Sequence, residues 1–394
     1  MEEINIEKKD GLTTVYLRGR IDSNNAPEAE KTITEAVKPE PGLKLVLDAE
    51  KLEYISSAGL RVILRLRKMT EEIKIVNVNP EIYDILDMTG FTQMLKVEKT
   101  YQVVSVEGCE VIGQGANGTV YKIDDDTVVK VYRHADALEA IRHEREVAKK
   151  ALILGIPTAI SYDVVRVGES YGSVFELLNA RSFSQILAED AEKFEWCVDE
   201  YVAMLKKIHG TLVPEGDLPD MLEAAKVWCD SLKGNLPEEA EEKVRTLIAG
   251  IPWDNHMIHG DYHTKNLELT ENEVLLIDMD TLAVGNPVFE LASMYAAFGG
   301  YGELDPDNIS DFLGFGFETA KEFWRRALSK YFETEDESKL REAEEKARVL
   351  AYVQMISWEI RNGDMKDEKT AAHVQHWAHN LLELLPKVDS LGIL

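Results

Sequence analysis

Long apolar runs are missing from this 394-residue chain. A bilayer-spanning helix needs on the order of 20 consecutive apolar residues, and no such stretch occurs. The opening residues, MEEINIEKKDG, lack the basic, apolar and small-residue zones of a secretory leader. Cysteine is scarce. Cys109, Cys197 and Cys229 are an odd number without metal-like spacing, which speaks against a disulfide framework and for reduced, buried thiols. Positive charge is also short: 44 Lys and Arg stand against 72 Asp and Glu, a net charge of −28. Residues 1–100 hold 18 acidic and 15 basic residues, so −3 belongs there and −25 to the remainder. Such a balance disfavours nucleic acid and anionic membrane as partners and would attract a cationic substrate, although an acidic surface that only keeps the chain soluble has the same composition. With 45% hydrophobic residues and this length, the expectation is a soluble cytoplasmic protein of two domains.

The two halves differ in pattern. In residues 1–99, TTVYLRGRI (13–21), KLVLDA (44–49) and IKIVNV (73–78) have the β-rich character of strands. Helical spacing falls near 26–37, 58–71 and 80–88, the first opening with Asn25, Ala26 and Pro27 as a start signal. Strands alternating with helices in under a hundred residues predict a small α/β layer fold. In LEYISSAGLRVIL (52–64) a strand-and-loop segment passes into a helix at Ser56 and Ser57. A serine there caps orphan N–H groups, and the same N–H groups with the helix dipole would stabilise a phosphate. Arg61, Arg65 and Lys68 share a helix face that is either a basic partner-binding stripe or a solvated surface.

GRIDSNNAP (19–27), LVLDAEKLEYISSAGL (45–60) and ILDMTGF (85–91) give this half a resemblance to the STAS domain, the module of anti-sigma factor antagonists and of sulfate-transporter tails. The usual family motif is Asp-Ser-(Ser/Thr)-Gly-Leu, whose serine after the aspartate accepts phosphate from a partner kinase. Aligned on Gly59 and Leu60, Ser56 replaces that aspartate and Ser57 takes the phosphoacceptor position. The resemblance implies a regulatory or partner-docking domain over residues 1–99, with a signalling protein as its possible partner.

From residue 101 a different pattern begins. VVSVEGCEVIGQGANGTVYKIDDDTVVKVYR (103–133) predicts an antiparallel meander. A helical pattern follows near 136–154, then a strand around YGSVFELL (171–178). Helices dominate beyond 182, notably near 317–331, 335–362 and 366–385, and are interrupted at 256–278. A small β-rich lobe (about 100–178) and a larger helical lobe (about 179–394) are expected. Gly113, Gly115 and Gly118 with Val120 spell G-x-G-x-x-G-x-V. In a dinucleotide fold a helix would follow the third glycine. Here TVYKI continues as a strand, so the glycines sit at a hairpin tip where N–H groups can close over phosphates. Lys130, between Val129 and Val131, is costly to bury without an anionic partner. Phosphate oxygens, or Glu144 or Glu146 on the following helix, could supply one.

IHGDYHTKN (258–266) admits two chemistries. A zinc site on His259, Asp261 and His263 would need a further ligand from elsewhere. A phosphoryl-transfer loop would use Asp261 to orient and deprotonate a hydroxyl and Asn266 to bind magnesium. Twelve residues later VLLIDMD (274–280) delivers Asp278, the second oxygen ligand such an ion requires. Phosphoryl transfer accounts for the glycines, Lys130, Asp261, Asn266 and Asp278 together, whereas zinc accounts for three residues.

GQGANGTVY (113–121), VVKVY (128–132), IHGDYHTKN, LLIDMDT (275–281) and GNPVFELA (285–292) resemble the aminoglycoside phosphotransferase and choline kinase family, relatives of the protein kinases. The resemblance implies a bilobal, protein kinase-like α+β domain using ATP and Mg2+. Lys130 would bind the α and β phosphates with Glu144 as its ion-pair partner, Asp261 would be the base, and Asn266 and Asp278 would hold magnesium. FELL (175–178), through the backbone around Glu176 and Leu178, would form the adenine hinge. His209 is expected to be a core histidine under the catalytic loop. The acceptor is then a small hydroxylated molecule. Two other readings remain open: a signalling kinase acting on Ser57 or another STAS protein, and a non-catalytic nucleotide sensor.

Overall fold

The structure, a computed structural model, describes residues 4–9, 12–37, 43–115, 118–134 and 137–393. The chain divides into two compact units, residues 1–107 with 164–171, and residues 108–163 with 172–394. The first extends past the boundary after residue 99 that the strand signals suggest. Among the described residues no helix is long and apolar enough to cross a membrane.

The first unit is a STAS-type α/β layer. Five strands, β1 (Asn5–Lys9), β2 (Leu12–Ile21), β3 (Lys44–Ile55), β4 (Glu72–Val78) and β5 (Lys96–Lys99), lie in the order 1-2-3-4-5. β1 and β2 are antiparallel and the remaining pairs parallel. Parallel neighbours need crossovers, supplied here by helices α1 (Ala26–Ala36), α2 (Ser57–Met69) and α3 (Pro80–Met88), with the short α4 (Phe91–Met94) before β5. The apolar pattern of each element meets in one core that includes Ile33, Leu45, Leu47, Leu66 and Ile75. β3 runs six residues beyond the expected strand and delivers the chain to α2, where Ser56 is the N-cap and accepts the Ala58 N–H at 3.2 Å. Ser57 is the first helical residue and is exposed. Gly59 follows for a steric reason, since a Cβ there would lie 2.7 Å from Ile55 Cγ1 and 2.9 Å from Ile21 Cγ2. The expected basic stripe is partly spent, because Arg65 is ion-paired to Glu30 of α1. Beyond β5, Gln102–Val103 (β6) runs parallel to Val165 and Arg166.

The second unit has the two-part layout of a kinase-like domain. Its strands β7 (Glu110–Gln114), β8 (Gly118–Lys122), β9 (Thr127–Tyr132) and β11 (Ser170–Glu176, which follows β10, Asp163–Val167) are antiparallel in the order β11-β9-β8-β7. Helix α5 (Leu138–Ile153) follows β9. The helical part is built around Val288–Phe298, all eleven residues of which are buried. A helix apolar on every side belongs at the centre of a core, and the helix Glu337–Asn362 packs beside it. Tyr201 and Phe323 pack against its Phe298, with Tyr262 beside Tyr201.

Gly59→Val is expected to destabilise the first unit by about 1–3 kcal/mol through overpacking. Hydrogen exchange measured on the full chain should show faster exchange of β3 and β4 amides in the variant.

Candidate active site

Lys130 sits in β9, opposite Ser173 of β11 and Val120 of β8. Its ammonium lies 3.0 and 3.2 Å from the two Glu144 carboxylate oxygens and 2.5 Å from Asp278 Oδ1. Only 13% of the lysine side chain and 8% of the Glu144 side chain are exposed, so the pair is withdrawn from water. Burial alone would lower the lysine pKa, but the Asp278 and Glu144 charges outweigh it and hold the group cationic. Helix α5 turns Glu144 inward with Ile141, Val147, Ala148 and Ala151, while Glu146 is exposed. Leu152, eight residues on from Glu144, is exposed, because the buried stripe drifts past it at 3.6 residues per turn.

The other two site residues come from one hairpin. Strands Leu267–Leu269 and Val274–Leu276 pair with Leu267 opposite Leu276, and the Ile277 N–H donates to the Asn266 carbonyl at 3.0 Å. That register is what the twelve-residue spacing between Asn266 and Asp278 achieves: both arrive at the same open end. The Asn266 amide nitrogen donates to the Asp261 carbonyl at 2.9 Å, which fixes the amide orientation and leaves Oδ1 as the atom available to a cation. Asp278 has φ 60° and ψ 62°, a left-handed conformation uncommon for a residue other than glycine. It stands at the turn where the chain leaves the strand for the 3-10 segment Met279–Thr281.

Asp261 lies between these parts, with 48% of its side chain exposed. Packing pushes its carboxyl pKa up, but the nearby His263, His259 and Asn266 side chains pull harder and leave it at about 2. His263 is buried and its Nε2 lies 3.4 Å from Asp261 Oδ2. His259 is a strut: its Nδ1 accepts the Asp261 N–H at 3.4 Å and its Nε2 lies 3.2 Å from the Ile277 carbonyl. Both ring nitrogens therefore face the backbone, which removes His259 from any zinc ligand set. Among the described residues no group of three His, Cys, Asp or Glu side chains is placed to hold a metal. A magnesium ion needs fewer protein ligands when phosphates and water complete its shell, and the Asn266 oxygen with the Asp278 carboxylate offers the oxygen donors it prefers.

A family profile described as "Phosphotransferase enzyme family" matches residues 108–352. The chain belongs to the phosphotransferase enzyme family. A STAS domain profile matches residues 3–104. In the same vein the chain is 29% identical over 107 residues to BtrV of Bordetella bronchiseptica, named as an anti-sigma factor antagonist, covering 26% of this chain and 91% of that protein. It is 27% identical over 99 residues to the anti-sigma F factor antagonist of Paenibacillus polymyxa, covering 24% and 85%. Among solved structures, a thermostable mutant of the aminoglycoside phosphotransferase APH(4)-Ia is similar with a TM-score of 0.51 at 12% identity, over 71% of this chain and 94% of that one. A choline/ethanolamine kinase family protein from Mesorhizobium loti has a TM-score of 0.46 at 16% identity, over 70% and 87%. At such identities the likeness to APH(4)-Ia is one of fold.

In this phosphotransferase the glycine hairpin spans β7 and β8, and residues 116–117 at its tip lie outside the described residues. Gly118 is required by close approach, since a Cβ would fall 2.3 Å from the Val131 carbonyl oxygen. Gly113 and Gly115 have no such neighbour, Gly113 lying in ordinary contact with Val120. At FELL the Leu177 N–H is taken by the Asp126 carbonyl at 2.8 Å.

Glu290, Tyr132 and Asp280 escape a reading of the sequence, whereas His209 was expected beneath this loop. Glu290, from the centre of the apolar helix, is fully buried. Its carboxylate accepts the His259 N–H at 2.5 Å and the Gly260 N–H at 3.0 Å, holding the catalytic loop from below. A charged residue within VFELASMYAAF was the available signal. His209 packs under the same loop, its Nδ1 2.8 Å from the Tyr331 hydroxyl and its Nε2 3.8 Å from Glu290. Tyr132 donates its hydroxyl to Glu144, a contact that strand alternation could not reveal. Asp280 is pushed up to about 7 by burial and the Asp278 charge. Asn286 accepts the Val288 N–H at 3.1 Å at the start of the central helix.

Glu290→Ala leaves two buried N–H groups unpaired and should cost about 3 kcal/mol, read as a lower thermal midpoint together with loss of activity. Asp261 is expected to remain ionised well below the ordinary carboxylate range. With a folded pKa near 2 against about 3.9 unfolded, its contribution to stability is present above roughly pH 4 and lost as pH falls toward 2. A carboxyl 13C titration that follows this side chain checks the value.

Proposed function

We propose that this phosphotransferase moves the γ-phosphate of ATP to a hydroxyl acceptor, in the first instance a small molecule, with Asp261 holding the attacking hydroxyl. The observation that carries the reading is the convergence of Lys130, Glu144 and Asp278 through contacts of 2.5–3.2 Å, beside the loop that bears Asp261 and Asn266. Lys130 would bind the α and β phosphates, Glu144 would keep its ammonium aimed, and Gly113, Gly115 and Gly118 would let the hairpin backbone approach the phosphates, with Val120 over the base. Backbone groups at Glu176 and Leu178 would hold the adenine. Asn266 and Asp278 would hold Mg2+, which when bound offsets phosphate charge. On this reading Asp278, 2.5 Å from the Lys130 ammonium, would hold the cation while the lysine holds phosphate.

In the transfer, the acceptor oxygen forms a bond to the γ-phosphorus as the bond to the bridging oxygen of ADP breaks, and that electron pair leaves with ADP. The hydroxyl proton passes to the Asp261 carboxylate. A carboxylate with a pKa of about 2 is a weak base, so Asp261 chiefly orients the hydroxyl and takes the proton late. APH(4)-Ia is named in a ternary complex with ADP and hygromycin B, a pairing of nucleotide and small hydroxylated acceptor that agrees with this reading. A cytoplasmic location, where ATP is plentiful, belongs to the same proposal, as does a regulatory or partner-docking role for the STAS domain.

A second reading, transfer to a protein serine, is favoured by one observation. Ser57 is exposed at the start of α2 while Ser56 does the capping, so phosphate could be added without loss of the cap. Asp261→Asn should reduce ATP-dependent transfer by roughly 10²–10⁴-fold with nucleotide binding retained, and Lys130→Met should weaken nucleotide binding itself. ADP release and calorimetry check these outcomes, and mass spectrometry of Ser57 after ATP addition separates the two acceptors. Unaltered ADP release in the Asp261 variant would sink the assignment.

A further inference from the structure

Lys265 stands out in a chain whose charge is −28. It is partly buried on the catalytic loop, between the candidate base and the candidate magnesium ligand. The loop around it is tightly held: the Asn266 N–H donates to the His263 carbonyl at 2.9 Å. The Ser184 N–H donates to the Thr264 carbonyl at 3.1 Å, and the Ser184 and Thr264 hydroxyls lie 2.8 Å apart. Several lysines elsewhere in this unit pair with carboxylates, as in Lys206 with Glu333 and Lys330 with Glu195 and Asp199. Among the described residues no carboxylate pairs with Lys265. Its ammonium lies instead 4.9 Å from the centre of the Phe312 ring.

Phe312 links this cation to the site. Its ring is 40% exposed and stands edge-on to the His263 ring at 4.9 Å, and His263 in turn touches Asp261. Phe312 belongs to the helix Asp307–Leu313, away from the strands that carry Lys130 and the glycines. A cation held against an aromatic face without a counter-ion retains most of its attraction for an anion that arrives with a ligand. Resting on the phosphotransfer reading above, we infer that Lys265 receives an anionic group of the acceptor, a phosphate or a carboxylate carried on the same molecule as the reacting hydroxyl. The bulk acidity of the chain would also favour a cationic group on the acceptor, but the anion decides the selection at Lys265.

The test is ADP release with matched hydroxyl compounds: glycerol against glycerol 3-phosphate, ribitol against ribitol 5-phosphate, and ethanolamine against serine. The expected result is a kcat/KM about tenfold or more in favour of the anionic member in at least one pair. Lys265→Met should remove that preference with the KM for ATP unchanged, Lys265→Arg should keep it, and Lys265→Glu should turn it toward the neutral or amine member. Equal or better turnover of the neutral or amine members by the wild type overturns the assignment. So does a Lys265→Met variant whose KM rises for ATP and not for the acceptor, since the lysine would then serve nucleotide phosphate. Failure of the wild type to turn over any compound of the panel, with nucleotide binding intact, counts against small-molecule phosphotransfer as a whole, whereas an indifferent panel defeats the lysine assignment alone.

Discussion

A buried ammonium cannot stand alone, and the second unit is organised around that constraint. Lys130 lies in a strand whose flanking residues Val129 and Val131 belong to the sheet, and withdrawing its charge from water is affordable only with anions beside it. Glu144 meets it from α5 and Asp278 from the far end of the helical part's hairpin. One charge therefore ties together three elements that are distant in sequence. With either carboxylate removed the ammonium would keep the other, whereas without both it would be an uncompensated charge in the interior.

The loop that carries Asp261 is held by different means. Glu290 reaches it from a helix with no exposed residue, and His259 braces it against the strand that leads to Asp278. Both supports act on backbone groups, so they set the path of the loop without using the side chains that face the cleft. This division explains how a short stretch rich in polar residues can remain ordered. Glu290 takes its His259 and Gly260 N–H groups, while Asp261 keeps about half of its surface free.

Much of this was legible beforehand because it depends on local spacing. The glycine hairpin was separated from a dinucleotide fingerprint by the strand that continues after Gly118, and β8 does run from Gly118 to Lys122. The distance from Asn266 to Asp278 is that of a short hairpin, which the register of Leu267 with Leu276 bears out as geometry. Glu144 was harder to separate from Glu146, since both lie on one helix and only packing tells which face turns inward. Glu290 and Tyr132 were out of reach. Their partners are 31 and 12 residues away, and no periodicity encodes a long-range contact to a backbone N–H or a carboxylate. In the first unit, by contrast, alternation and the Ser-Ser-Ala-Gly-Leu stretch were enough to place β3 and α2, and Gly59 follows from the crowding between Ile21 and Ile55.

Asp278 combines a carboxylate with a backbone conformation that most side chains resist. Glycine would relax the turn but remove the oxygen donors, and bulkier or branched replacements would keep neither. Asparagine alone shares both the size and the tolerance of this region, so evolution at this position has a single nearby neighbour, and stepping to it discards the charge. The turn is thus a point where shape and electrostatics cannot be varied independently, and a descendant of this chain that gave up catalysis could change this residue to asparagine without disturbing the fold around it.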